Sequence, residues 1–105
     1  MVIRRKIKFL YQRLTRGWDD SDTWSLDYTC AKFLIPRLKR FQELNGGYPF
    51  EFNNIDEWHQ TIDKMIRAFE IVEKDGDGDV ISKSEEDEME LGLKLFHEFF
   101  RALWN

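Results

Sequence analysis

The chain has 105 residues, a formal net charge of −4, a charged share of 34% and an aromatic set of nine Phe, four Trp and three Tyr. That length is one domain, with a core burying roughly 65% of the surface an unfolded chain exposes. The composition excludes intrinsic disorder. The absence of any apolar run near ~18 residues excludes a membrane-spanning helix, and the acidity argues against nucleic acid as the default partner.

Charge is unevenly spread. Residues 1–16 hold Arg4, Arg5, Lys6, Lys8, Arg13 and Arg16 and no acid, whereas Glu70 to Glu90 holds ten acids against Lys74 and Lys83. The two ends are either differently charged solvated faces or mutually attractive, within a subunit or between subunits. Cys30 is the single cysteine, so no disulfide forms within the chain and a reducing compartment is expected. Flanked by Tyr28, Ala31 and Phe33, it reads as a small buried hydrophobe. The basic start lacks the apolar stretch and cleavage site of a signal peptide, and a cytosolic protein is expected.

Ile3, Ile7, Leu10 and Leu14 recur at helical spacing, with cations between them, and Gly17 stops the run. This predicts a basic amphipathic helix over 2–15, packed on the domain rather than on a membrane. Asp19, Asp20, Ser21 and Asp22 then read as a turn and helix start, with Ser21 or Asp22 as N-cap. A second helix over 22–44 carries Trp24, Tyr28, Ala31, Ile35 and Leu38, widened by Leu26, Cys30, Phe33, Leu34 and Phe41. Apolar over so much of its circumference, it is the expected central element, kinked at Pro36.

Asn45-Gly46-Gly47-Tyr48-Pro49 is dense turn chemistry. After it, Tyr48, Phe50 and Phe52 alternate as a short extended cover for the core. Asn54 and Glu57 resemble a capping box, opening a third helix over 55–73 that carries Ile55, Trp58, Ile62, Met65, Ile66, Phe69 and Val72. The last helix spans 84–104, with Met89, Leu93, Phe96, Phe100 and Leu103 on one stripe. Its Gly92 costs roughly 1 kcal/mol against Ala in a helix, which implies close approach of another helix backbone. The expected fold is all-α: a compact four-helix bundle in a single domain, 1–105, with a Pro-kinked central helix.

Two constellations bear on chemistry. The stretch from Glu73 to Glu85 resembles an EF-hand loop. With Gly78 at the sixth position, Asp75 and Asp77 take the third and fifth. Glu73 then stands first in place of Asp, and Glu85 falls one residue beyond the twelfth. Starting at Asp75 instead leaves Val80 where glycine is required. Glu73, Asp75, Asp77, Asp79 and Glu85 are therefore the candidate metal ligands of a degenerate loop, whose bland alternative is an acidic connection between helices. No cofactor is expected beyond weak Ca2+ at that loop. The second constellation is the acidic aromatic turn, where Trp18, Asp19, Asp20, Asp22 and Trp24 form a candidate binding site or serve only to cap the helix and pair with Arg16 or Arg37. His59 and His97 lack zinc or di-iron spacing, and there is no phosphate loop or serine elbow.

The run Arg16-Gly17-Trp18-Asp19-Asp20-Ser21-Asp22-Thr23-Trp24-Ser25-Leu26-Asp27, with Trp58, Met65 to Glu70 and the closing Gly92 to Phe96 and Leu103-Trp104, resembles a family of small uncharacterised proteins of tailed bacteriophages. The resemblance covers most of the chain from Arg16 onward and brings no catalytic residues. It implies a phage origin, the cytoplasm of the host bacterium and an accessory role. The expected function is non-enzymatic: binding a host or viral protein partner, as a homo-oligomer, without membrane or nucleic acid. The alternative is a small-ligand or metal-binding sequestering protein that uses the acidic turn or the degenerate loop.

Overall fold

The apolar periodicities become four α-helices: α1 (Val2–Arg16), α2 (Leu26–Leu44), α3 (Ile55–Gly76) and α4 (Lys83–Phe99), with 3-10 turns at Asp20–Thr23 and Phe100–Ala102. The computed structural model describes residues 2–104, and among the described residues there is no strand. The all-α bundle expected from the sequence is the fold that forms.

Its centre is α3, not α2. Eight α3 residues are buried, Trp58, Thr61, Ile62, Met65, Ile66, Ala68, Phe69 and Ile71, whereas α2 buries only Ala31 and Leu38. α3 packs against α2 on one side and α4 on the other. Among the described residues, no Cα of α2 comes within 8 Å of one in α4. Bulky side chains fill the wedge between them. Phe52, Trp58 and Phe99 meet with ring centroids 5.1–5.8 Å apart, and Phe96 stands edge-on to Phe69 at 5.0 Å. α2 reads as central because it is apolar nearly all round. The structure leaves much of that surface in water: Leu26, Cys30 and Phe33 are exposed, so Cys30 is not the buried hydrophobe expected.

Polar ties fix the register. Gln42 donates from its amide to the His59 carbonyl at 2.9 Å and to Asp63 at 2.7 Å, joining α2 to α3. Lys74 and Arg67 on α3 both reach Glu85 on α4, at 2.9 and 3.4 Å. The Tyr28 ring lies against Gly76, where a Cβ would stand 2.4 Å from it, and the Tyr28 hydroxyl donates to Asp77 at 2.7 Å. The third helix therefore runs on to Gly76, three residues beyond its expected end.

The boundaries follow the caps. Asn54 accepts from the Glu57 N–H at 2.9 Å, while Glu57 returns its carboxylate to the Asn53 N–H rather than to the cap itself. Ser82 and Glu85 form a complete capping box, so α4 starts at Lys83 rather than Ser84. It yields to a 3-10 turn at Phe100, short of the expected 104. α2 opens at Leu26 and not at residue 22, because a separate 3-10 turn, capped by Asp19 rather than by Ser21 or Asp22, comes first. The helix then runs unbroken through Pro36 to Leu44. Residues 50–51 form a turn and 52–54 a bend, with no strand among 48–52; Phe52 reaches the core but Phe50 is 95% exposed.

Gly92 confirms the expected close approach: a Cβ there would stand 2.3 Å from the Lys64 carbonyl oxygen and 2.4 Å from the Ala68 Cβ. Gly92→Ala is therefore expected to lose a net ~1–3 kcal/mol by overpacking, despite the better helix propensity of Ala. Urea unfolding measures this, and a variant as stable as the parent would contradict the α3–α4 packing.

Candidate functional site

The acidic turn is where α1 joins the rest of the molecule. α1 ends as Gly17 takes φ +85°, a left-handed conformation open to glycine, and gives its N–H to the Arg13 carbonyl at 2.9 Å. The chain then reverses, and Asp19, in extended backbone, caps the 3-10 turn. Its carboxylate accepts from the Ser21 N–H at 2.8 Å and from the Ser21 hydroxyl, while Asp22 accepts from the Asp19 N–H at 3.1 Å. The reversal lays the turn against the side of α1 that carries Lys8, Gln12 and Arg16, spaced four apart along one line of the helix.

Each of the turn's first two carboxylates is held by α1. Asp19, only 2% exposed, receives the Arg13 Nε at 2.5 Å. Asp20 receives Gln12 at 2.9 Å, Arg16 at 2.7 Å and Lys8 at 3.3 Å, and its own N–H donates back to the Gln12 Oε1 at 2.8 Å. Aromatic contacts flank the clamp: the Arg16 guanidinium lies 3.7 Å from the Trp18 ring centroid, and Phe9 stands edge-on to Trp24 at 5.6 Å. The hydrogen bond from Gln12, then those from Arg16 and Lys8, pull the Asp20 carboxyl from its ordinary 3.8 to about 2. The Ser21 hydroxyl, followed by Arg13, holds Asp19 below its ordinary value as well. Acid–base catalysis by two carboxyls needs one of them raised towards neutrality; both of these move down.

α1 therefore docks by its polar side, and its apolar stripe points away. Ile3, Ile7, Leu10 and Leu14 are 73, 62, 56 and 78% exposed, against the expectation that this stripe packs on the domain. The basic helix finds its acids in Asp19 and Asp20, not in the segment from Glu70 to Glu90. Of the expected binding residues, Asp19, Asp20 and Asp22 come together in one turn. Trp18 and Trp24 are exposed beside it, and Trp24 is not the core residue expected. A shallow cleft of about 470 Å³ opens between Asp22, Trp24, Tyr28 and Lys32, and Trp18 stays outside it.

The candidate metal ligands are dispersed. Glu73 and Asp75 lie on the last turns of α3, Asp77 takes the Tyr28 hydroxyl, and Glu85 is occupied by Lys74 and Arg67. Asp79 follows on the connection to α4. Among the described residues, no three His, Cys, Asp or Glu side chains are grouped to hold a metal ion.

A larger cleft, about 730 Å³, lies between the turn after α2 and the residues that follow α4; Tyr48, Trp58, Glu98, Phe99, Arg101 and Trp104 are among its walls. Trp58 anchors it, 1% exposed, with its indole N–H on the Asn45 side-chain oxygen at 3.3 Å. The sequence signals its parts, a Gly-Gly-Tyr-Pro turn and a closing Leu-Trp, but not that α3 brings them together. Comparison with family models, with curated proteins and with solved structures finds no match.

Because the depressed Asp19 and Asp20 are ionised in the docked state, the stability they contribute is complete above their ordinary value of 3.8 and is lost as pH falls through the folded value, about 2 for Asp20. Near-ultraviolet dichroism of Trp18 and Trp24 is therefore expected to hold steady from neutrality to about pH 4 and to collapse below it. Asp20→Asn is expected to weaken the docked signal already at neutrality; an unchanged signal at pH 7 would contradict the clamp.

Proposed function

We propose that the chain is a non-enzymatic accessory protein of a tailed phage, acting in the host bacterium's cytoplasm by binding a host or viral protein partner, as a homo-oligomer. The resemblance of the Arg16–Asp27 run supports the phage setting, and among the described residues no helix is long and apolar enough to cross a membrane. One observation carries the binding role. Tyr48, Arg101 and the 72%-exposed Trp104 surround one cleft, and the exposed Phe50 stands between two of its lining residues. Tyr, Trp and Arg are the side chains that dominate interface energies when a partner desolvates them. Their exposure around a cleft rooted on a buried Trp58 is the arrangement a partner's side chain would fill.

A second reading is favoured by the cleft's size, which lies within the range of small-ligand sites, roughly 300–1,000 Å³. A sequestering protein would use the same Tyr48, Trp58 and Trp104 walls rather than the acidic turn, whose carboxylates are taken up by α1.

Tyr48→Ala with Trp104→Ala removes the rim and leaves Trp58 in place. Affinity capture from bacterial lysate is expected to retain a protein with the parent chain that the double variant loses, with an affinity loss of at least about tenfold. Equal capture by both would contradict the proposal. If the lysate's small-molecule fraction raises the parent's melting temperature and not the variant's, the second reading holds instead.

A further inference from the structure

The apolar stripe of α1 faces away from its own chain, and another element of the same chain matches it. Ile3, Ile7, Leu10 and Leu14 are spaced four, three and four; Met89, Leu93, Phe96 and Phe100, along α4 and into the turn after it, are spaced four, three and four. Each row spans twelve residues, about 16 Å of helix from first to last. On α4, Leu93 and Phe100 are exposed and Met89 and Phe96 half-buried, with the Phe96 ring between Phe69 at 5.0 Å and Phe100 at 5.3 Å. Gly92, on the neighbouring edge of α4, sits against Lys64 and Ala68 of α3, so the row borders that contact: Phe96 turns towards the core, while Leu93 and Phe100 stand exposed.

The borders are opposite in charge. Arg4 and Lys6 flank the α1 row at its N-terminal end; Glu86 and Glu90 flank the α4 row at its N-terminal end. Among the described residues, none of the four side chains makes a hydrogen bond or salt bridge. Two α1 helices cannot serve each other, since α1 carries six cations and no acid. α1 cannot reach its own α4 either, because Asp19 and Asp20 hold it by the other side, and among the described residues its close backbone neighbours are those of the 3-10 turn at Asp20–Thr23.

We infer that the occupant of the α1 stripe is a second copy of this chain, with α1 of one copy lying parallel along the Met89–Phe100 row of the other. Parallel alignment brings the basic N-terminal end of one row, with Arg4 and Lys6, to the level of the acidic N-terminal end of the other, with Glu86 and Glu90. The contact joins different surfaces of the two copies, so it is satisfied for both only in a closed symmetric assembly, the smallest being a dimer in which each copy gives one helix and receives one. This rests on the homo-oligomer part of the proposed function, whose interface it names, and is independent of the partner-binding Trp104 cleft, which is a separate surface.

Sedimentation equilibrium of the parent chain and of two charge-reversed forms, Arg4→Glu/Lys6→Glu and Glu86→Lys/Glu90→Lys, tests it. The parent is expected at an integral multiple, two or more, of 12.7 kDa. Each reversed form alone is expected to dissociate about tenfold more readily, and their equimolar mixture to regain the parent's association, because α1 and α4 are then complementary again in both directions. Far-ultraviolet dichroism checks that each form is folded, and Ile7→Glu/Leu10→Glu is a second route to the same loss. A strictly monomeric parent, or reversed forms that associate like the parent or are not rescued by mixing, would overturn the inference. So would a monomeric parent that binds vesicles containing phosphatidylglycerol through Ile7 and Leu10, which would make an anionic lipid surface the occupant.

Discussion

Asp19 and Asp20 set the orientation of the first helix, and much of the molecule's outward character follows from that. An amphipathic helix beside an apolar core ordinarily turns its stripe inward. Here the Gly17 reversal presents two carboxylates to α1 before any apolar surface is within reach, and Gln12, Arg13, Arg16 and Lys8 close on them. Each large aliphatic side chain left in water forgoes roughly 1.5–3 kcal/mol of burial, and four of them line α1. With α1 so oriented, Ile3, Ile7, Leu10 and Leu14 form one exposed apolar row along it. The reach of α1 also shows in the overall shape: the radius of gyration is 16.7 Å, against about 13 Å for a compact chain of 100 residues.

The second constraint is the Gly92 contact. Bringing α4 onto the Lys64–Ala68 stretch of α3 leaves α2 and α4 splayed around a common neighbour, and a splayed pair needs bulky filling. That accounts for part of the aromatic excess: Phe52, Trp58, Phe69, Phe96 and Phe99 occupy the wedge. Others, among them Tyr11, Trp18, Trp24, Phe33, Tyr48, Phe50, Phe100 and Trp104, stay at the surface. The core and the candidate binding surfaces thus draw on the same residue type, and Trp58 and Phe99 belong to both.

Residues whose role depends on their own helix were legible in the sequence. The spacing of Ile55 to Val72 is that of a buried helix, and Gly92 in the middle of a periodic run announces a close neighbour. Roles that depend on how helices meet were not legible. Cys30 and Phe33 sit on a strongly apolar helix, yet they face water because only one side of α2 meets α3. Ile3 to Leu14 has the pattern of a packed stripe, and nothing local says that Lys8, Gln12 and Arg16, on the opposite side, find partners first. The degenerate calcium loop was misleading for a related reason: Glu73 and Asp75 belong to a helix prolonged by Tyr28 packing on Gly76, a contact 48 residues distant in sequence. The acidic turn is a joint between helices, its Asp19 and Asp20 carboxylates taken up by α1.

The outward orientation of α1 is the claim on which the rest turns, and methyl NMR with a soluble paramagnetic agent measures it directly. In the Arg4→Glu/Lys6→Glu form, where assembly is disfavoured, the methyls of Ile3, Ile7, Leu10 and Leu14 are expected to relax as strongly as those of exposed Leu26 and Val80. Ile62 and Ile71, both 0% exposed, should be spared. If the α1 methyls are protected like Ile62 in the monomer, the helix packs by its apolar stripe and the Asp19–Asp20 clamp does not set its orientation.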